Sequence, residues 1–185
     1  MSGVTAPSGC SGFDYAPFYC EENIYRLARQ LADTLESDAT AVFITNADRT
    51  IALLSQRAGR RSDGLVIWDY HVVLRSGALV YDLDTRLACP SLAPDWLAGT
   101  APLVLYDHYP ELAPQFIAVP ADAFLTQCST DRRHMRTTTG AFIHQPPDWQ
   151  APFDSRLGHT LPAFLNATHA AVGRVIPVSQ AHREW

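Results

Sequence analysis

The chain has 185 residues, a hydrophobic content of 47%, a charged content of 18% and a formal net charge of −5. This composition is typical of a folded globular protein, and the length suits one domain with a substantial core. The sequence contains no basic run of the kind that nucleic-acid-binding proteins carry, and no apolar run approaches the ~20 residues of a membrane span. We therefore expect neither a nucleic-acid partner nor a membrane partner.

Residues 1–18 are rich in Gly, Ser, Pro and Ala and predict a flexible N-terminal arm, followed by a single domain over residues 19–185. The N-terminus has neither the basic nor the hydrophobic segment of a secretory signal, so we expect a cytoplasmic protein, and a monomer. The cysteines lack metal-ligand spacing, alone or with the seven histidines. Without an export signal, the sequence predicts free thiols and no metal site. The four cysteines are Cys10, Cys20, Cys89 and Cys128.

A helix is predicted to begin at Cys20, because apolar residues recur at helical spacing from Ile24 to Leu35. Glu22 and Arg26 lie on its outer face, four residues apart in the orientation that favours an ion pair. A thiol at the start of a helix experiences the positive end of the helix dipole, which favours the thiolate. The unpaired N–H groups of the same turn can face a developing oxyanion. The alternative is that Cys20 is a small core residue, as free cysteines usually are.

The remaining pattern predicts mostly antiparallel strands after this first helix. The result is an α+β fold in which a largely antiparallel sheet is flanked by helices in α-β-α layers. We expect the segment 50–54 to be the hairpin partner of the strand 41–45. The other predicted strands are 65–74, 78–85, 116–119 and 174–178, and the other predicted helices are 94–97, 120–127 and 160–168.

The strands 65–74 and 78–85 flank a Ser-Gly turn signal and predict a β-hairpin. A two-residue turn at 76–77 places His71 opposite Asp82, within reach of a hydrogen bond. Such a bond orients an imidazole and stabilises its charged form, as the carboxylate of a catalytic triad does. A structural His–Asp pair is the simpler alternative, and the upstream cysteine is what favours the catalytic interpretation.

Five segments of the sequence resemble the protein N-terminal glutamine amidohydrolases. They are Tyr-Cys-Glu-Glu-Asn-Ile at 19–24, Ala-Val-Phe-Ile at 41–44, Asp-Gly-x-Val-Ile-Trp-Asp-Tyr-His-Val-Val at 63–73, Tyr-Asp-Leu-Asp-Thr at 81–85 and Asp-Arg-x-His-Met at 131–135. The resemblance runs in order from residue 19 to about residue 178, and the Trp-Asp-Tyr-His-Val-Val string is its most specific part.

This resemblance implies a papain- or transglutaminase-like fold with a catalytic triad of Cys20, His71 and Asp82. It implies deamidation of an N-terminal Gln side chain to Glu through a cysteine thioester, with release of ammonia and without a cofactor. The partners would be proteins or peptides that begin with Gln. It also implies that the product Glu can be modified further by an aminoacyl transferase, as in an N-degron pathway.

The predicted hairpin register also places Asp69 opposite Asp84 on the face that carries the triad. Two opposed carboxylates are unfavourable unless a cation lies between them, and the α-ammonium of the substrate is a candidate for that cation. Tyr19 is a further candidate for a wall of the Gln pocket. Structural partners for these residues, such as an arginine, are the alternative.

Three functions remain open from the residues alone. The first is the amidohydrolase, and the second is a cysteine peptidase or a transglutaminase-like acyltransferase with the same triad. The third is an inactive module that binds protein N-termini. Water and an amine cleave the same thioester, so the triad does not separate the first two functions.

Overall fold

The computed structural model describes residues 9–166 and 173–185 of the chain. Within these two ranges, no helix has the length and apolar character needed to cross a lipid bilayer. The helix predicted over 160–168 forms over Leu161–Phe164 and ends earlier than predicted, since Leu165 and Asn166 are not helical. Residues 167 and 168 of the predicted range lie outside the described residues.

A six-stranded antiparallel sheet with the strand order β6-β5-β4-β1-β7-β8 forms the centre of the fold, and β2 and β3 form a separate two-stranded sheet. The strands are β1 (Thr40–Thr45), β2 (Ile51–Leu53), β3 (Val66–Trp68), β4 (His71–Ser76), β5 (Leu79–Tyr81), β6 (Ser91–Leu92), β7 (Gln115–Pro120) and β8 (Arg174–Pro177). The helices are α1 (Cys20–Gln30), α2 (Ala93–Thr100), α3 (Leu103–His108), α4 (Ala121–Gln127), α5 (Leu161–Phe164) and α6 (Val178–Glu184).

Helices cover both faces of the six-stranded sheet, because successive residues of its central strands point to opposite sides. On β1, Phe43 joins a core with residues of α1, α4 and α5, whereas Val42 joins a second core with residues of α2 and α6. The predicted α+β class, with a largely antiparallel sheet flanked by helices, is therefore confirmed.

The turn between β4 and β5 lies one residue later than predicted. Leu74 pairs with Tyr81 rather than with Leu79, so the turn residues are Gly77 and Ala78. Gly77 has a φ of +54°, which a two-residue hairpin turn requires at its first central position and which only glycine adopts without cost.

The partner of each β4 residue consequently moves by two positions, and the predicted pairs of His71 with Asp82 and of Asp69 with Asp84 are not opposed in the sheet. The ladder ends at Tyr81, one residue before Asp82. Side chains alternate with a period of two, so a two-residue shift leaves every side chain on its predicted face. Val73 still lies on the opposite face to Leu74, and each is fully buried.

Two other local predictions are wrong: the strand that pairs with β1 and the end of the first helix. The segment predicted to pair with β1 is β2, and it pairs with β3, which is separated from β4 by a break at Asp69. The neighbours of β1 in the sheet are instead β4 and β7. The first helix ends at Gln30, and the following turns carry Leu31 and Leu35 into the same core.

Residues from 9 onwards of the predicted arm are in contact with the domain, while residues 1–8 lie outside the described residues. Cys10 forms a disulfide bond with Cys89 across 79 residues of sequence, so the prediction of four free thiols is wrong for this pair. Both cysteines are buried together with Leu83, and their Cα atoms lie 5.5 Å apart, a distance that suits a bridge. Cys20 and Cys128 are free.

Glu22 is completely buried, although the helical pattern placed it on the outer face of α1. It does not pair with Arg26, which binds Asp14. Instead, its carboxylate accepts two hydrogen bonds from the Arg132 guanidinium, at 2.7 and 2.8 Å, and a third from the indole of Trp149 at 2.9 Å. This ion pair holds the segment around residue 132 against the first turn of α1.

We expect Arg132→Met to lower the free energy of unfolding by about 3–5 kcal/mol, because it leaves the Glu22 carboxylate buried without its cation. Urea unfolding followed by circular dichroism measures the change. Arg133→Met is the matched control, since the Arg133 side chain is 64% exposed and pairs only with Asp131. A loss no larger than that of the control would contradict the prediction.

Candidate active site

A cavity of about 320 Å³ lies where the start of α1 meets β3 and the start of β4. Cys20 and His71 both line it, so the fold brings the two residues to one site across 51 positions of sequence. The other lining residues are Phe18, Val66, Ile67, Trp68, Asp69, Tyr70, Asp84, His134, Met135, Ile143 and His144.

Cys20 is the first residue of α1, as predicted, and is 8% exposed. Burial raises the pKa of its thiol well above the ordinary value, and the carboxylates of Glu21, Asp84 and Asp69 raise it further, whereas the backbone N–H of Val72 lowers it. The thiol therefore holds its proton in the resting site. Formation of a thiolate requires a base close by that can accept this proton.

The backbone just before Cys20 is strained. Phe18 has a φ of +69°, a conformation that bulky residues rarely adopt and that costs on the order of 1–3 kcal/mol. Its ring stacks on the imidazole of His144, with ring centres 3.7 Å apart. This contact and the start of α1 together hold the turn that presents the thiol to the cavity.

His71 is the first residue of β4 and is 1% exposed. Its Nε2 lies 2.9 Å from Oδ1 of Asp82, and its ring lies parallel to the indole of Trp68 with the centres 5.8 Å apart. The other ring nitrogen, Nδ1, is buried and has no hydrogen-bond partner among the described residues. His71 is thus held at one nitrogen and free at the other, as a general base must be.

Asp82 is fully buried, and four groups hold its carboxylate. Oδ1 accepts hydrogen bonds from His71 and from the backbone N–H of Asp84, and Oδ2 accepts from Trp96 Nε1 at 3.0 Å and Gln56 Nε2 at 3.5 Å. Burial alone would raise the pKa of Asp82, but His71, Trp96 and the Asp84 N–H offset it, so the pKa is below the ordinary value. Asp82 therefore stays charged beside the imidazole.

The charge of Asp82 in turn favours the protonated form of His71. Burial alone would lower the pKa of His71, but the charge and hydrogen bond of Asp82 outweigh it, and the pKa is raised above 6.5. A base of raised pKa that lines the same cavity as a thiol can remove the thiol proton during attack once the two groups are in contact.

Among the described residues, one group of side chains has the composition of a metal site. Ligand atoms of His71, Asp82 and Asp84 lie within 4.8 Å of one another. However, His71 and Asp82 bind each other, and Asp84 accepts a hydrogen bond of 2.6 Å from Tyr15. Nε2 of His71, the Asp82 carboxylate and Oδ1 of Asp84 thus already have protein partners, and the contact between His71 and Asp82 has the geometry of a hydrogen-bonded acid–base pair.

The three residues that were predicted to bind substrate lie in different surroundings. Asp69 is exposed at the cavity, where Oδ1 accepts the N–H of Tyr70. Asp84 is buried at the cavity, and burial raises its pKa. Tyr19 is fully buried, donates its hydroxyl to the carbonyl of His144 and does not line the cavity.

Comparison with known proteins matches residues 15–184 to the model of the N-terminal glutamine amidase family. The chain is 38% identical over 161 residues to a protein N-terminal glutamine amidohydrolase of Drosophila mojavensis, covering 82% of this chain and 77% of the relative. It is also 38% identical over 168 residues to the protein of the same name of Drosophila melanogaster, covering 85% and 79%. The chain belongs to the N-terminal glutamine amidase family.

The family match spans all the residues of the candidate site, and it includes several that sequence reasoning missed. Trp96 and Gln56 hold Asp82, yet no local pattern connects them with it, since the contacts depend on how α2 and the loop after β2 pack. Tyr15 belongs to the predicted arm but donates to Asp84 in the cavity wall. Glu21 had a signal, because it directly follows the cysteine in sequence.

Proposed function

We propose that this chain is a hydrolase that converts an N-terminal Gln of proteins and peptides to Glu and releases ammonia. The observation that carries the proposal is the family match over residues 15–184 together with a cavity that is lined by both Cys20 and His71, the latter bound to Asp82. In this proposal Cys20 is the nucleophile, His71 the general base and acid, and Asp82 the residue that orients His71.

The reaction begins when His71 takes the proton of the Cys20 thiol as the sulfur attacks the carboxamide carbon of the substrate. The nitrogen of His71 that is not bound to Asp82 is free to accept that proton. The resulting oxyanion is stabilised by N–H groups of the first turn of α1, which have no partner within the helix. His71 then protonates the leaving nitrogen, the carbon–nitrogen bond of the tetrahedral intermediate breaks, and ammonia departs while the thioester forms.

Water completes the reaction. His71, neutral again after ammonia leaves, removes a proton from a water molecule that attacks the thioester carbon. The thiol is restored, and the product is Glu at the N-terminus of the substrate. The chain order here is a nucleophile at a helix start, then His at the start of a strand and Asp directly after the next strand. The same order of Cys, His and Asp occurs in papain- and transglutaminase-like folds, and we include that fold relationship in the proposal.

A peptide panel tests the proposed activity. We expect ammonia release, followed with a coupled glutamate dehydrogenase assay, from a peptide that begins with Gln and none from the same sequence with Gln in the second position. The N-acetylated Gln peptide, which lacks the α-ammonium, is expected to be inactive as well. Cleavage of the peptide backbone or transfer of Gln to an amine would instead assign the site to a peptidase or an acyltransferase.

The pH profile of the reaction tests the role of His71. The neutral imidazole accepts the thiol proton, so activity is lost as the pH falls through the pKa of His71. Since that pKa is raised, we expect the acidic limb of kcat/KM above pH 6.5. In Asp82→Asn, which removes the charge that raises the pKa, the residual activity is expected to have its acidic limb at lower pH. An unshifted limb would contradict this role.

Recognition of a free N-terminus requires negative charge near the substrate ammonium. Asp69 and Asp84 both line the cavity, and we propose that they supply this charge even though they are not opposed in the sheet. Tyr19 is fully buried and does not line the cavity, so in this proposal it supports the cavity wall through its hydrogen bond to the carbonyl of His144. The monomeric state is also part of the proposal.

We expect Asp69→Asn and Asp84→Asn each to raise KM for Gln-initiated peptides about 5- to 50-fold with a smaller change in kcat, the range of one lost charge-assisted contact. Steady-state kinetics with a single peptide measure both constants. Asp95→Asn, at an exposed position of α2 away from the cavity, is the matched control. Unchanged KM in both variants would remove this part of the proposal.

A cytoplasmic location is part of the proposal as well. The Cys10–Cys89 disulfide is the feature that argues against it, because glutathione and thioredoxin keep most cytosolic thiols reduced.

A further inference from the structure

A second group of buried polar side chains lies beside the Cys20 thiol, and neither the triad nor ammonium recognition uses it. Glu21, Tyr70 and His134 form this group. The Glu21 side chain is completely buried, and Oε2 lies 3.9 Å from the Cys20 sulfur. The same oxygen accepts a hydrogen bond of 3.0 Å from the Tyr70 hydroxyl.

His134 completes the group. Its Nε2 lies 3.1 Å from Oε1 of Glu21 and 3.2 Å from the Tyr70 hydroxyl. The side chain is 19% exposed and lines the same cavity as Cys20. His134 is therefore the basic side chain that faces the Glu21 carboxylate.

The physical problem that this group addresses is the charge of Glu21. A buried carboxylate so close to the sulfur opposes the negative charge that develops there, and Glu21 is, after burial, the largest cause of the raised pKa of Cys20. Arg132 offsets this charge only in part, because its guanidinium binds Glu22 and its coulombic interaction with Glu21 is weaker than that with Glu22. An imidazolium at His134 would offset it at close range.

Resting on the proposed role of Cys20 as nucleophile, we propose that His134 is a positioning residue of the active site. It pairs with the buried Glu21 carboxylate and so screens the developing Cys20 thiolate from that charge. The Tyr70 hydroxyl fixes the carboxylate between the sulfur and the imidazole. His134 thus acts through Glu21 and touches neither the substrate carbon nor the leaving nitrogen.

The groups that face His134 from neighbouring elements are consistent with this role. Glu21 and Cys20 face it from α1, and Tyr70 faces it from the segment before β4. On the other side the imidazole of His159 stacks on the His134 ring with the centres 5.6 Å apart. Nδ1 of His159 lies 3.5 Å from Oδ1 of Asp131. Arg133 also binds Asp131 rather than Glu21.

The test measures the reactivity of the thiol without any substrate. Iodoacetamide alkylates the thiolate, and mass spectrometry of the Cys20 peptide gives the rate as a function of pH. We expect His134→Gln to slow alkylation at pH 7 about 5- to 10-fold and to move the pH profile to higher pH. Glu21→Gln is expected to speed alkylation, because it removes the charge and keeps the shape.

The double variant Glu21→Gln/His134→Gln makes the test specific. If His134 acts through Glu21, the second substitution has little further effect once the carboxylate is gone, so the double variant alkylates like Glu21→Gln. A merely structural role would give the same loss in both backgrounds. His159→Gln is the control, because among the described residues His159 has no hydrogen bond or ion pair with Glu21 and its coulombic interaction with Glu21 is weaker than those with Asp131, His134 and Arg133. We expect this variant to shift the profile much less than His134→Gln does.

The proposal is overturned if His134→Gln leaves the pH profile in place, or if its effect persists without Glu21. If His134→Gln does not fold, the alkylation rate of Glu21→Gln tests the proposal instead. An unchanged rate in Glu21→Gln would overturn it, because Glu21 would then carry no charge that affects Cys20. Failure of the proposed function is a separate result, because it is measured as ammonia release with the peptide panel. If the variants alter alkylation but the protein releases no ammonia from Gln-initiated peptides, the electrostatic role of His134 is supported and the proposed deamidation is contradicted.

Discussion

Cys20→Ala is expected to lower kcat for ammonia release from a Gln-initiated peptide by about 10⁶-fold, the scale of losing the nucleophile of a triad. The reason is that in the proposed mechanism the sulfur at the start of α1 attacks the substrate, and an alanine side chain can form no thioester. Ammonia release under single-turnover conditions measures the loss. Cys20→Ser is expected to fall nearly as far, since a hydroxyl is a much weaker nucleophile at this pH.

Cys128→Ala is the matched control for Cys20→Ala. Cys128 is the other free cysteine of the described residues, it is similarly buried at 5% exposure, and it lies outside the cavity. Its burial also raises the pKa of its thiol. We expect normal kcat in this variant. An equal loss of kcat in the two variants would indicate a loss of folded protein and would contradict the role of Cys20 as the nucleophile.

Asp82→Asn is expected to lower kcat by about 10³- to 10⁴-fold. An asparagine keeps the shape and can still accept from Trp96, but it cannot stabilise the imidazolium, and its amide group can select the wrong ring tautomer of His71. Steady-state ammonia release measures kcat. The free energy of unfolding is measured alongside, because Asp82 is completely buried and a loss of fold would also abolish activity.

The control for Asp82→Asn is Asp63→Asn, an exposed carboxylate in the same part of the chain that pairs with Arg61. We expect unchanged kcat in this variant. A less than tenfold loss in Asp82→Asn, with the protein folded, would mean that His71 does not depend on this carboxylate and that the pair is structural.

These experiments address different parts of one site. Asp82 raises the pKa of His71, so the imidazole is a stronger base, while burial and Glu21 make Cys20 a weaker acid. The raised pKa of Cys20 favours the neutral thiol at rest, and the raised pKa of His71 makes its neutral imidazole a better acceptor of the thiol proton. The thiolate therefore forms during attack, and groups that change the charge around the sulfur are expected to change the rate.

Much of the site could be predicted from the sequence because it depends on local patterns. The helical spacing after Cys20 places the thiol at the start of a helix, and strand alternation assigns Val73 and Leu74 to opposite faces. The strand faces remain correct despite the two-residue error in the predicted hairpin register, because side-chain direction repeats every two residues. The class of fold follows from the same two periods.

The contacts between distant segments were decided by the tertiary structure alone. The helical pattern suggested Arg26 as the partner of Glu22, whereas the ion pair forms with Arg132, 110 residues further along the chain. The disulfide bond between Cys10 and Cys89 and the hydrogen bond from the Trp96 indole to Asp82 are likewise contacts that no local pattern predicts. Local periodicity fixes the direction in which a side chain points, but which group it meets there depends on the packing of elements far apart in sequence.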